Sequence, residues 1–225
     1  MKPLGEEHLA ILRRHMVEIV DMHVDLASDD IGKDALDPRL RTALLRVQRH
    51  HFVPAPLAVA AYQDTPLPIG FDKTVSQPFI GALMLDLLEL SEGDRVLEVG
   101  TGLGYQAAVM AELGADIFSV EVVEEFANEA TMRLRAFGYG DVQVRTGDGS
   151  RGWAEHAPFD KILVTAAAAA PPQALVDQLR PGGRIVIPLG GKEVQTLSVV
   201  EKRLDGSLDT RPVLPTRFTQ LESAA

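Results

Sequence analysis

The chain has 225 residues, 46% hydrophobic and 24% charged, which suits one globular domain with a sizeable core and excludes a disordered chain. Its net charge of −10 argues against a general binder of nucleic acid or anionic membrane, and the absence of cysteine excludes disulfides and thiol chemistry. Met1 to Gly5 lacks a basic region followed by an apolar core, and no apolar run reaches the roughly 20 residues of a membrane helix, so a cytoplasmic protein is expected.

Leu9, Leu12, Met16, Ile19, Val20 and Val24 recur at helical spacing and predict a helix over Glu6–Leu26. His8, His15 and His23 lie near one face of it. No Cys, Asp or Glu cluster completes a metal site there, so packed or solvated histidines and no metal are expected. Residues 27–34 read as a turn. Asp37-Pro38 then opens a second helix, with Asp37 as N-cap, Pro38 in the first turn, and Leu40, Leu44, Leu45 and Val47 as its apolar positions. From Pro54 to Gly70 the density of proline (Pro54, Pro56, Pro66, Pro68) leaves no regular element. An ordered loop of that length in a compact domain is usually functional. It leads into residues 73–78 and a helix over 79–90.

The apolar run Val96-Leu97-Glu98-Val99 has the character of a buried strand. It breaks into Gly100, Gly102 and Gly104, and a helix follows over 105–113. Glycine lets backbone approach a ligand closely, and a helix N-terminus offers free N–H groups with roughly +0.5 charge. The run G-T-G-L-G, with Glu98 two residues before it, differs from the dinucleotide spacing G-x-G-x-x-G. It resembles motif I of class I methyltransferases, which bind S-adenosylmethionine. An ordinary tight strand-to-helix turn is the plainer reading of the same residues.

Strands and helices then alternate. A strand over 116–120 ends at Glu121, and a helix over 124–137 is stopped by Gly138. A strand over 142–146 ends in Gly147-Asp148-Gly149, and an apolar strand covers 161–165. A short helix over 172–179 precedes the turn Pro181-Gly182-Gly183 and a strand over 184–188. Gln195–Lys202 and residues 208–214, joined through Asp205-Gly206, close the chain as a hairpin. With the strand before Gly100 this makes seven. The alternation predicts an α/β fold with a doubly wound, mostly parallel sheet, whose ligands sit at the carboxyl ends of its strands. The expected organisation is a single domain over 1–225: an N-terminal helical cap at 1–50 and a core at 51–225.

Several segments together resemble one family. They are H-F-V-P at 51–54, Y-Q-D-T-P-L-P-I-G at 62–70, T-V-S-Q-P at 74–78 and V-L-E-V-G-T-G-L-G-Y-Q-A-A at 96–108. G-D-G at 147–149, A-P-F-D-K-I-L-V-T-A-A at 157–167 and Q-L-R-P-G-G-R-I-V-I-P-L-G at 178–190 continue the series. In these the chain is similar to the protein-L-isoaspartate O-methyltransferases, over about residues 52–202. T-V-S-Q-P is not general to methyltransferases and is the most specific element. The resemblance implies a Rossmann-like class I methyltransferase fold. It implies methyl transfer from S-adenosyl-L-methionine, leaving S-adenosyl-L-homocysteine, to the free carboxylate of L-isoaspartyl residues in damaged proteins and peptides. A monomer is expected, with no nucleic-acid or membrane partner. Two alternatives stand beside this: methylation of aspartates in a modified natural-product peptide, and a non-catalytic homologue that binds the cofactor or a partner.

The resemblance also assigns residues. Gly100, Thr101, Gly102 and Gly104 form the cofactor turn. Glu98 orders that turn or meets the methionine amino group, or caps the turn with no cofactor contact. Glu121 can accept from two ribose hydroxyls, or be a surface acid opening the next helix. Asp148 resembles the acid that contacts adenine, with Gly149 offering backbone beside it; a plain turn is the alternative. Lys73, Thr74 and Val75 form a lid beside the cofactor, joined by Ser76 and Gln77. Ser76 is the family's active-site position, and its alternative role is to cap the following helix. Thr165, Ala166 and Ala167 flank the peptide substrate, unless Thr165 merely ends its strand. The acceptor is a carboxylate with a reference pKa near 4, already ionised at neutral pH, so alignment and removal of water matter more than a base. Two departures are visible. Leu103 stands where the family often has serine, and Arg217-Phe218-Thr219-Gln220-Leu221 replaces an R-F-V-P-L-like end, which leaves contacts from that segment open.

Overall fold

In a computed structural model, which describes residues 5–222, helix α1 (Glu6–Leu26) buries Met16, Val17, Val20 and Val24. That is the stripe its periodicity demands. It packs against α4 (Pro78–Leu88), whose sequence is apolar on nearly every side and which is buried almost throughout. Between them lie α2 (Ser28–Ile31) and α3 (Pro38–Arg46). Asp37 caps α3 as expected, accepting from the Arg39 N–H at 2.7 Å. Residues 27–34, expected as a turn, include the single helical turn α2, which ends at Gly32 in a left-handed conformation.

The stretch from Pro54 to Gly70 is more ordered than its prolines suggested. Two short 3-10 turns, Ala55–Leu57 and Ala60–Tyr62, fill its middle. Strand β1 (Leu67–Gly70) pairs antiparallel with β2 (Lys73–Val75). The ribbon has only two strands, so Pro68 lies on an edge, where a missing N–H is tolerated. Phe71 and Asp72 at its tip have φ of 51° and 55°, the positive pair that a two-residue hairpin requires.

The main sheet is built from β3 (Arg95–Val99), β4 (Asp116–Glu121), β5 (Gln143–Thr146), β6 (Phe159–Val164), β7 (Leu179–Gly190), β8 (Gln195–Lys202) and β9 (Leu208–Thr216). Its order is β5-β4-β3-β6-β7-β8-β9, with the first five strands parallel and β8 and β9 antiparallel. This is the seven-stranded, mostly parallel sheet read from the alternation of elements. β7 starts earlier than expected, because the Pro181-Gly182-Gly183 stretch stays within it across a register irregularity. Helices α5 (Tyr105–Glu112), α6 (Glu124–Ala136) and α7 (Gln173–Gln178) connect the strands. Alternate residues of one strand serve opposite faces: Val96 joins the cluster containing α1, α4 and α5, while Leu97 and Val99 join the cluster beneath α7.

Successive strands run outward from β3 through β4 to β5. The chain then returns across the sheet to place β6 on the other side of β3. That reversal leaves a crevice between the carboxyl ends of β3 and β6, the position at which doubly wound sheets bind ligands.

Candidate active site

β3 leaves the sheet at Gly100, which has φ of 95°. The Thr165 N–H donates to the Val99 carbonyl at 2.9 Å, and the Thr165 hydroxyl donates to the Gly100 carbonyl at 2.9 Å. A Cβ at residue 100 would lie 2.3 Å from that hydroxyl oxygen, so the turn and the end of β6 lock together only around glycine. Gly149 is held by the same logic from the other side, since a Cβ there would come within 2.4 Å of Val99 Cγ1.

Three acids surround this turn in different states. Glu121, at the end of β4, is 5% exposed. It accepts from the Gly102 N–H at 2.8 Å and the Val123 N–H at 3.0 Å. It therefore shapes the turn while keeping about two of a carboxylate's roughly four lone-pair sites for other donors. Glu98 is fully buried and accepts from the Ser119 hydroxyl, which also contacts Thr101 Oγ1. Its other oxygen has no partner among the described residues. Burial pushes the Glu98 carboxyl up to about 8; the Ser119 bond opposes this and the nearby Glu121 charge adds to it. Asp148 caps the 3-10 turn Gly149–Arg151 by accepting from the Ser150 N–H at 2.9 Å and its hydroxyl at 2.6 Å.

A cavity of about 920 Å³ opens over these strand ends. It falls within the roughly 300–1,000 Å³ usual for small-molecule sites. The turn contributes Gly100, Thr101 and Gly102 to its lining, together with Glu121 and Gly149. The β1–β2 hairpin contributes Lys73, Thr74 and Val75, and the link from β2 to α4 contributes Ser76 and Gln77. Thr165 and Ala166 complete the expected set. Glu98, Gly104, Asp148 and Ala167 do not line it: Glu98 lies under the turn, Gly104 is the N-cap of α5, and Asp148 stands behind Gly149.

Ser76 does not cap α4. Gln77 holds the N-cap position, and the Phe79 N–H is taken instead by Asp64, at 2.8 Å. Ser76 makes no cap and lines the cavity.

One wall answers a question the sequence left open. Residues 216–222 cross the carboxyl ends of the strands and line the cavity, with Arg217, Phe218 and Glu222 among them. The segment is pinned by its backbone. The Ala167 N–H donates to the Thr219 carbonyl at 2.8 Å, and the Leu221 N–H to the Ala167 carbonyl at 2.7 Å. The buried Gln195 amide brackets Phe218, donating to its carbonyl at 3.0 Å and accepting from its N–H at 2.6 Å. None of these bonds needs a particular side chain at 219–221, which is why departure from the family's pattern there hid the contact. Lys73 of the hairpin meets Glu222 at 2.6 Å across the opening. Tyr105 and Ile69, within the motifs, and Phe126, outside them, supply further wall.

The donor set fits an adenosyl sulfonium ligand. Glu121 retains acceptor capacity for paired hydroxyls, and backbone closes around Gly102 and Gly149. Gln106, which also lines the cavity, holds a buried amide oxygen with no partner among the described residues. Among those residues no cluster of His, Cys, Asp or Glu could hold a metal, and no helix is long and apolar enough to cross a membrane.

Comparison with known proteins agrees with this geometry. The profile of the family described as protein-L-isoaspartate(D-aspartate) O-methyltransferase matches residues 26–225. Protein-L-isoaspartate O-methyltransferase 1 of Polaromonas sp. (strain JS666) is 49% identical over 221 residues, 98% of this chain and 94% of that protein. A solved protein-L-isoaspartate O-methyltransferase superposes with a TM-score of 0.80 at 28% identity, over 94% of this chain and 66% of that one. The chain thus spans about two thirds of that protein's length. A Plasmodium falciparum chain solved with S-adenosyl-L-homocysteine shares the fold, with a TM-score of 0.73 at 22% identity over 90% of this chain and 98% of that one.

Proposed function

Because the chain belongs to the protein-L-isoaspartate(D-aspartate) O-methyltransferase family, we propose that it methylates the free carboxylate of L-isoaspartyl residues in damaged proteins and peptides. One observation carries the reading: Ser76 of the family's most specific element lines the same cavity as the glycine turn and Glu121. S-adenosyl-L-methionine, when bound, supplies an electrophilic methyl on sulfonium. Glu121 would accept from ribose hydroxyls, the Gly149 backbone would border the purine with Asp148 capping the turn behind it, and Gly100 to Gly102 would hold the amino-acid end. Lys73, Thr74 and Val75 cover the donor and exclude water. Ser76 orients the acceptor carboxylate by hydrogen bonding without protonating it. Thr165 and Ala166 flank the peptide.

The acceptor needs no general base, since it is already ionised at neutral pH. The residues' task is to hold its oxygen in line with the methyl and strip its water. We read the protein as a cytoplasmic monomer; a chain without cysteine agrees with a reducing compartment.

Incubation with an isoaspartyl peptide and methyl-labelled cofactor tests the proposal. Base-labile label on that peptide, and none on its aspartyl twin, is expected. Label on the aspartyl twin would move the substrate to the natural-product class. Cofactor binding with no labelling of either would make the chain a non-catalytic binder.

A further inference from the structure

Arg49 is an anomaly in this core. It is 1% exposed, and no carboxylate comes within ion-pair distance of it among the described residues. A buried guanidinium is costly unless its donors are used, and a neutral side chain would fill the same space at less cost. Its donors are used on backbone. Nη2 donates to the Ser76 carbonyl at 2.6 Å, and Nε donates to the Ala61 carbonyl at 2.8 Å. The guanidinium lies over the ring of Tyr105, 4.7 Å from its centroid.

The next residue of T-V-S-Q-P is gripped from the same side of the chain. Asp64, two residues beyond the turn Ala60–Tyr62, accepts from Gln77 Nε2 at 2.7 Å and from the Phe79 N–H at 2.8 Å. His23 of α1 meets Asp64 at 2.9 Å. The Ser76–Gln77 peptide is thus tied to residues 61–64 by two charged groups, one on its carbonyl and one on the side chain and helix start beyond it. Tyr105, beneath the guanidinium, opens α5 directly after the glycine turn. The brace therefore spans from the acceptor side of the cavity to the donor side.

We propose that Arg49 is a positioning residue for methyl transfer, fixing the Ser76 backbone so that its hydroxyl meets the acceptor carboxylate in line with the donor. The proposal rests on the reading that Ser76 orients that carboxylate. A planar fork with donors on separate nitrogens lets one side chain hold two separated carbonyls and stack on an aromatic ring; lysine offers all its donors from a single nitrogen.

Steady-state methylation of an isoaspartyl peptide, alongside calorimetric binding of S-adenosyl-L-homocysteine, tests it on Arg49→Met, Arg49→Lys, Ser76→Ala and the double variant Arg49→Met/Ser76→Ala. Arg49→Met is expected to lower kcat about tenfold or more while product affinity stays within about twofold, because misplacement of a reacting group by about 1 Å costs up to about a hundredfold in rate. Arg49→Lys is expected to fall between. The double variant is expected to be no slower than the slower single, since both act through one hydroxyl. Wild-type kcat in Arg49→Met, a parallel loss of product affinity, or losses that multiply in the double variant would each overturn it. If Arg49→Met does not fold, Arg49→Lys decides alone, and wild-type turnover there overturns the proposal. Wild-type turnover in Ser76→Ala would remove the premise and the proposal with it, a result distinct from failure at Arg49.

Discussion

The Thr165 hydroxyl occupies the space that a side chain on residue 100 would need, 2.3 Å from where its Cβ would stand. The end of one strand therefore fixes the backbone leaving its neighbour. Gly100→Ala would have to break the Thr165 bond and hold alanine at φ near 95°, where an L-residue is strained by about 1–2 kcal/mol. We expect a lower melting temperature and at least tenfold weaker binding of S-adenosyl-L-homocysteine by calorimetry. Binding unchanged in Gly100→Ala would show that the turn relaxes without loss.

Glu98 makes stability depend on pH. Its carboxyl titrates near 8 in the folded protein against an ordinary value of 4.5, so the folded state keeps a proton that the unfolded chain releases. Its contribution is complete below about pH 4.5, declines as pH rises, and is gone above about 8. Glu98→Gln cannot titrate and can still accept from Ser119. Melting curves from pH 5 to 8.5 should therefore fall more steeply for the wild type than for the variant. Parallel curves would show that the buried carboxyl is already ionised at pH 5.

Glu121 serves the turn and, on our reading, the ribose. Glu121→Ala removes acceptors from Gly102 and Val123 as well as from the ligand. A hydrogen bond to a charged group is worth about 1.5–3 kcal/mol, so cofactor affinity should drop about tenfold or more. Equilibrium dialysis with labelled cofactor measures this directly. Full affinity in the variant would leave Glu121 with only its backbone role.

Asp148 separates two readings that the sequence left open. It caps the turn behind Gly149, and it does not line the cavity. Asp148→Ala should lower the melting temperature and weaken cofactor binding only indirectly, by loosening the Gly149 backbone that lines the cavity. Loss of stability with unchanged affinity would assign Asp148 to the turn alone. A cap is worth about 0.5–2 kcal/mol, enough to see in a melting curve.

The sheet was legible because β3, β4 and β6 carry short apolar runs and strands end in punctuation: Gly100 after β3, Glu121 in β4, Gly147 after β5. Those ends are also where ligand groups gather, so the motif residues and the cavity coincide at Thr101, Gly102 and Glu121. The hairpin of β1 and β2 was hidden because proline masks extended backbone, and Phe71 and Asp72 are not the residues usually found at positive φ. Arg49 and Asp64 act on carbonyls and N–H groups brought near only by the fold. The contacts of Arg217–Leu221 stayed open in the sequence for a related reason: backbone pairing with Ala167 leaves no side-chain signature.

Lys73 and Glu222 close the opening from positions 149 residues apart. A ribosome translating this chain completes the sheet's parallel half long before it delivers the second wall. A nascent chain lacking residues 216–222 would expose the crevice unroofed and would hold donor poorly. Cleavage between β9 and residue 217 would therefore remove that wall while leaving the pairing of all seven strands in place.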